Sequence, residues 1–415
     1  MAHIRELIRD KNFSLLWLAQ VISNFGDRLN QMALIGLIYV RTPGSTIELA
    51  KLLSFTIIPV FIIGPIAGSY VDRWDRKTTM IVSDLLRGIL VLFIPIVATH
   101  SKSMPPIYIL VFLIFSITRF FLTSKLSIIP DIVHKEKLLL ANSLSSTTMM
   151  IATIVGFGFG GLIVGKFGAM AGFYIDAASY FISGVMLFFI TVNFRGNVKE
   201  MLKEQKLKTV IKKTVLEDIK EGLVYLKNHA DIRMVANTMF LLMAGVGSIY
   251  IVIIVFIQEK LRSSTEHLGL LVVLLGLGLF LGSVVYGRFG SRISKKKVIN
   301  FCLSVTGLLV VIFAVSLRLA PSFLTAGIQA FILGLFGAPI IVSSNTLLYE
   351  VMLDEMRGRI FSSLEIIMHL GFILFMFFTS VLAEHVRREW VLVTIGSWFF
   401  VMGLIKLIKV SRGKG

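Results

Sequence analysis

The sequence predicts an all-α membrane protein with twelve transmembrane helices in two pseudo-symmetric six-helix bundles. Three observations carry that expectation. The 415 residues are 56% hydrophobic and only 16% charged, where a soluble domain carries about 25% charge. Apolar runs recur along the chain, each near the roughly 20 residues that cross a bilayer as helix. Pieces of the first half also reappear in the second half at one constant offset.

The runs lie near 14–40, 46–71, 78–98, 106–129, 140–165 and 169–193, then near 232–257, 267–287, 297–317, 322–346, 357–384 and 389–411. They predict an N-terminal bundle over 1–193, a linker over 194–231 and a C-terminal bundle over 232–415. The linker is the one long polar stretch. Val210, Ile211, Val215, Leu216, Ile219, Leu223 and Leu226 recur in it near helical spacing, so it reads as a tether lying on the membrane surface. The opening MAHIRELIRDKNF is short and charged, with no small-residue cleavage site after a short apolar core. It predicts no removable signal peptide.

The net charge is +18. In a soluble chain that excess would suggest nucleic acid. Here Lys and Arg sit between apolar runs, so they set membrane orientation instead, and no nucleic-acid partner is expected. They crowd the alternate gaps that include both termini and the linker. The positive-inside rule places those gaps, and both termini, on the cytoplasmic side; the membrane is expected to be a prokaryotic plasma membrane. The single cysteine, Cys302, excludes an internal disulfide framework and a Cys-rich metal site. No metal and no cofactor are expected.

The repeat is read from residues. GSYVDRWDRK follows the second run and GRFGSRISKK follows the eighth, so Gly68 and Arg73 correspond to Gly287 and Arg292, and the basic pair Arg76/Lys77 to Lys295/Lys296. The same offset carries Asp131 onto Glu350, Glu136 onto Glu355 and Gly26 onto Gly245. Parallel six-helix repeats mark a transporter whose site lies at the midplane between its halves.

GSYVDRWDRK resembles the loop motif G-x-x-x-D-R-x-x-R-K of the major facilitator superfamily. Other pieces, in order, resemble the branch of macrolide-efflux and enterobactin-export proteins: LWLAQVISNFGD, SDLLRG, IIPDIV with LLLANSL, FYIDAASYFISG and DEMRGRIFS. The resemblance implies a monomeric transporter working by alternating access, with Gly68, Asp72, Arg73, Arg76 and Lys77 in a cytoplasmic gate. Asp84, Arg87, Arg292, Arg357 and Arg359 are expected to join that gate. Asp72 would sit against a helix N-terminus, where the dipole favours a carboxylate.

The stretch GFGFGGLIVGKF matches nucleotide-binding patterns by letters only. It lies inside an apolar run, with no strand before it and Phe167 where a phosphate loop needs Ser or Thr. Gly156/Gly160 and Gly161/Gly165 instead read as small-xxx-small pairs that let helices approach in lipid. The stretch also resembles the antiporter motif G-P-x-x-G-G, with Phe157 in the proline position.

A charge at bilayer depth is a functional-site hypothesis by default. Asn24, Asp27 and Gln31 lie in the first run with Arg28 and Asn30. Asp27 falls about 20 Å from the cytoplasmic end of its helix, and Arg119 roughly 16 Å from the end of its own. Both are expected to face the central cavity and to interact, directly or through substrate, in proton coupling. The alternative is that Asp27 only holds its helix in register. Glu365 and His369 share a helix face at i,i+4 and form a candidate second proton site, while Asp176 reads as structural. The expected activity is export of an amphipathic, drug- or macrolide-like small molecule in exchange for protons. The competing readings are a siderophore or lysolipid-like cargo without clear proton coupling, and a transport-dead scaffold. With no H-E-x-x-H, no complete phosphate loop and no Cys cluster, an enzyme is not expected.

Overall fold

The structure is a computed structural model that describes residues 2–71, 74–191, 230–290, 293–351 and 357–411. The described residues are helical almost throughout. In chain order the helices are α1 (Ala2–Arg9), α2 (Lys11–Arg41), α3 (Thr46–Ile62), α4 (Gly64–Val71), α5 (Arg76–His100), α6 (Pro105–Ile132), α7 (Leu138–Phe167) and α8 (Ala169–Phe188). Then follow α9 (Ala230–Leu261), α10 (Glu266–Phe289), α11 (Lys295–Leu319), α12 (Phe323–Val351), α13 (Arg357–His385) and α14 (Arg388–Ser411).

Ten helices among the described residues, α5 to α14, are long and apolar enough to cross a membrane. The first two expected spans are not in that set. Helix α2 has 31 residues, which is ample length, but carries the polar run 24–31. The run over 46–71 is not one helix. It parts at Ile63 into α3 and α4, with Pro59 inside α3 and Pro65 in the first turn of α4. Proline removes an N–H and crowds the preceding turn, so two of them six residues apart break the ladder. Almost all of the expected linker, with Asp72, Arg73 and Arg292, lies outside the described residues.

Local signals fix several helix ends. Asp75 caps α5, its carboxylate accepting from the Thr78 N–H at 2.6 Å. Pro105 opens α6, where its missing N–H costs nothing. Gly168, at φ +82°, is the only residue between α7 and α8.

The chain forms two compact units. One comprises Met1–Arg41 and Lys51–Val215, the other Thr42–Ala50 and Leu216–Gly415. In the first, α2 is the central helix, with α8 and α7 along it, while α5 packs on α8 and α6. Small residues set these approaches. A Cβ on Gly26 of α2 would lie 2.0 Å from Ser179 Oγ and 2.6 Å from Asp176 Oδ1 on α8. On α7, a Cβ at Gly156 would meet the Arg28 side chain at 2.8 Å, and one at Gly160 the Leu29 backbone at 3.3 Å. Without a hydrophobic drive between helices in lipid, such close backbone contact is what holds them. Gly161 is buried in the same helix, and Gly165, near its end, is exposed.

In the second unit α10 pairs with α12, α11 with α14 and α9 with α13. Glycines again line the seams, as where Gly278 backs onto the Phe331 carbonyl and Gly247 onto that of Phe372. The segment Thr42–Ala50 is fastened in this unit. The Glu384 carboxylate accepts from Ser45 Oγ at 2.9 Å, Thr46 Oγ1 at 3.3 Å and the Ile47 N–H at 3.1 Å. Thr46 Oγ1 also donates to the Ser380 carbonyl at 2.7 Å, and Arg388 donates to the Gly44 carbonyl.

Candidate functional site

The first unit holds a buried polar cluster built from four helices. Helix α8 contributes a stripe at i, i+3, i+4 and i+7: Asp176, Ser179, Tyr180 and Ser183 are all buried. That spacing puts them on one face, and the face meets α2 and α5.

Toward α2, Asn30 Nδ2 donates to Asp176 Oδ2 at 2.6 Å, and Ser179 Oγ donates to the Asp176 carbonyl at 2.7 Å. One turn further on, the Tyr180 hydroxyl donates to Asp27 Oδ1. Asp27 is half-buried, so it is the partly open end of the cluster. Toward α5, Asp84 accepts from Ser183 Oγ at 2.6 Å and pairs with Arg87. Asp84 has no exposed surface and Arg87 only 1%. The guanidinium is sandwiched between the rings of Phe121 and Tyr180, each 4.3 Å away. Tyr180 therefore joins both halves, its ring on Arg87 and its hydroxyl on Asp27. Lys125 of α6 is also buried and lies within the electrostatic reach of Asp27. Arg87 Nε and Asn30 Oδ1 are buried with no hydrogen-bond partner, so the cluster is not fully satisfied.

The residues expected in proton coupling are placed as follows. Asp27 bonds to Tyr180 of α8. Arg119 lies on α6, two residues before Phe121, and its carbonyl accepts from Thr123 Oγ1 at 2.9 Å. Gln31 accepts from Arg28 at 2.9 Å, and Asn24 is half-buried on the same helix. His369 bonds to the backbone carbonyl of Glu365 at 2.8 Å, so the pair makes a local helix contact.

The expected gate residues divide. Asp84 and Arg87 bond to each other, to Ser183 and to two rings inside the first unit. Arg76 bridges to Asp131 at 2.6 Å and to the Ser127 carbonyl at 2.9 Å, while Lys77 donates to the Phe188 carbonyl at 2.7 Å. These tie the start of α5 to the ends of α6 and α8. Gly68 lies in α4 with open space where a Cβ would stand. Arg357 and Arg359 lie in the first turn of α13; their side chains lie outside the described set.

Sequence reasoning missed Tyr180, Ser183 and Lys125, left Asn30 without a role and set Asp176 aside as structural. The signal was present in FYIDAASYFISG, whose polar residues recur at helical spacing within an apolar run. Among the described residues, no cluster of three His, Cys, Asp or Glu side chains could hold a metal ion.

Residues 6–412 match the family described as transmembrane secretion effector. An uncharacterized MFS-type transporter of Bacillus subtilis, YfiS, is 26% identical over 410 residues, covering 96% of this chain and 93% of that protein. Macrolide efflux protein A of Streptococcus pyogenes is 22% identical over 404 residues, covering 95% and 93%. Among solved structures, a bacterial homologue of the iron transporter ferroportin in an inward-facing state superposes with a TM-score of 0.71 at 14% identity, covering 97% of this chain and 99% of that one. A bacterial homologue of the lysosomal transporter Spinster gives 0.71 at 14%, covering 97% of both.

Proposed function

The chain belongs to the transmembrane secretion effector family of major facilitator transporters, and from that premise we propose that it exports an amphipathic small molecule in exchange for protons. The transport class follows from the family. The direction draws support from the macrolide efflux relative. The observation that carries the coupling is the chain of contacts Asp27–Tyr180–Arg87–Asp84.

Asp27 is the half-buried entry to that chain. As a carboxylate it accepts the Tyr180 hydroxyl. With a proton aboard it loses its charge and the strongest reason for that bond. The Tyr180 ring lies on Arg87, so a change at Asp27 on α2 is felt at the Asp84–Arg87 pair on α5. A local charge change of this kind biases a two-state element. Alternating access between two six-helix repeats, with the termini in the cytoplasm and the GSYVDRWDRK motif at a gate, completes the reading.

Everted membrane vesicles carrying wild-type protein or Asp27→Asn test it. A proton gradient is imposed, and uptake of macrolides, lipophilic cations, siderophores and lysolipids is followed. Gradient-driven uptake by wild type, lost in the variant, supports both export and the role of Asp27. Equal uptake by both removes Asp27 from coupling. No uptake by correctly inserted wild type removes the proposed substrate class.

A further inference from the structure

Helices α7 and α8 each pack along α2 far more than on one another. Between them is a groove of about 460 Å3 with α2 as its floor. That volume lies within the roughly 300–1,000 Å3 of small-molecule pockets. Its walls are Ile151 and Val155 on one side and Ile175 and Ile182 on the other, with Phe25 below. Only two lining side chains are polar, and both are engaged within the protein. Thr148 accepts from Trp17 Nε1 at 2.9 Å, and Ser179 donates to the Asp176 carbonyl. No ionisable group lines the groove.

Depth and chemistry together specify the occupant. Ser179 lies ten residues into the 20 of α8, and Thr148 ten residues into the 30 of α7. At 1.5 Å per residue Ser179 stands about 15 Å from either end of its helix, near the middle of a hydrocarbon layer about 30 Å thick, while Thr148 stands a third of the way along α7. The rim is apolar and open, Ile151 being 56% and Ile182 50% exposed. A polar ligand would find only the two already engaged hydroxyls there, and water fewer partners than the two to four it needs. We propose that this groove holds one hydrocarbon chain of a bilayer phospholipid, seated against Ser179, which adjoins Tyr180 and bonds to the Asp176 carbonyl, and so beside the buried Asp176–Asn30 and Tyr180–Asp27 contacts. The inference is independent of what the protein transports.

Photolabelling tests it without any transport assay. Wild type and Ala178→Trp are reconstituted in vesicles containing a phosphatidylcholine with a mid-chain diazirine, irradiated and mapped by peptide mass spectrometry. Ala178 lines the groove from an exposed position, so a larger side chain fills the space without entering the core. Ile89, Phe93 and Ile96 on α5 are 44–50% exposed and do not line this groove, so they report ordinary lipid contact and correct insertion. A seated chain labels 151–155 and 175–182 several-fold more than the α5 face, and Ala178→Trp cuts that excess by at least half while α5 labelling holds. Equal labelling of both faces, an excess untouched by Ala178→Trp, or a labelled α5 with an unlabelled groove would each overturn the proposal.

Discussion

The Tyr180 ring lies 4.3 Å from the Arg87 guanidinium, while the hydroxyl of the same residue donates to Asp27. One side chain on α8 thus reads the charge of α2 and leans on the cation of α5. This makes Tyr180 the residue where a structural and a coupling role can be separated.

Tyr180→Phe keeps the ring on Arg87 and removes only the hydroxyl. A hydrogen bond to a charged group contributes about 1.5–3 kcal/mol when buried; with Asp27 half exposed the loss should fall at the low end, near about 1.5 kcal/mol. The fold should survive, and the pH profile of gradient-driven uptake should move. An unchanged profile, with uptake intact, would confine Tyr180 to packing.

Arg87→Met leaves Asp84 buried without its partner. Breaking one side of a buried pair costs about 3–5 kcal/mol, so the variant should unfold at clearly lower temperature in detergent. Adding Asp84→Leu should recover much of that loss, because no lone charge remains. Uptake should stay low in the double variant. A double variant as unstable as the single one would mean that Arg87 matters through its rings and not through Asp84.

Gly26→Ala places a Cβ 2.0 Å from Ser179 Oγ. Overpacking of this kind costs about 1–3 kcal/mol. Ser179→Ala in the same chain removes the clashing oxygen and should restore about half of the lost thermal stability. Two independent, additive losses would show that α2 and α8 do not meet there.

Glu384→Gln removes the charge that gathers Ser45, Thr46 and the Ile47 N–H. A carboxylate at a helix N-terminus is worth about 0.3–1 kcal/mol, and up to about 2 when partly buried. A cysteine placed at Ile47 should then react faster with a water-soluble maleimide than it does beside Glu384. Equal rates would show that Arg388 and Ser380 hold the segment unaided.

The helices that cross apolar depth were readable because length and hydropathy decide them locally. The expected 78–98, 106–129 and 140–165 became Arg76–His100, Pro105–Ile132 and Leu138–Phe167. The break at Ile63 was also written in the chain, as Pro59 and Pro65, yet the continuous apolar run hid it. Asp27 was visible because a charge in an apolar run is conspicuous. Its partner was not, since nothing in the sequence of α2 tells which neighbour presents a hydroxyl at that level. Asp84 and Arg87 were assigned by their nearness to a loop motif. Their bonds instead follow from α5 packing on α8, which brings Ser183 and Tyr180 to them.

Gly168 is the whole connection between α7 and α8. A joint of one residue offers a protease no slack to cleave and an antibody no loop to grip. An epitope inserted there would have to lift the ends of both helices off α2. The four residues 101–104, between α5 and α6, leave more room. Sidedness mapping of this chain should therefore put its tags at that turn and leave the one-residue joint between α7 and α8 uninterrupted.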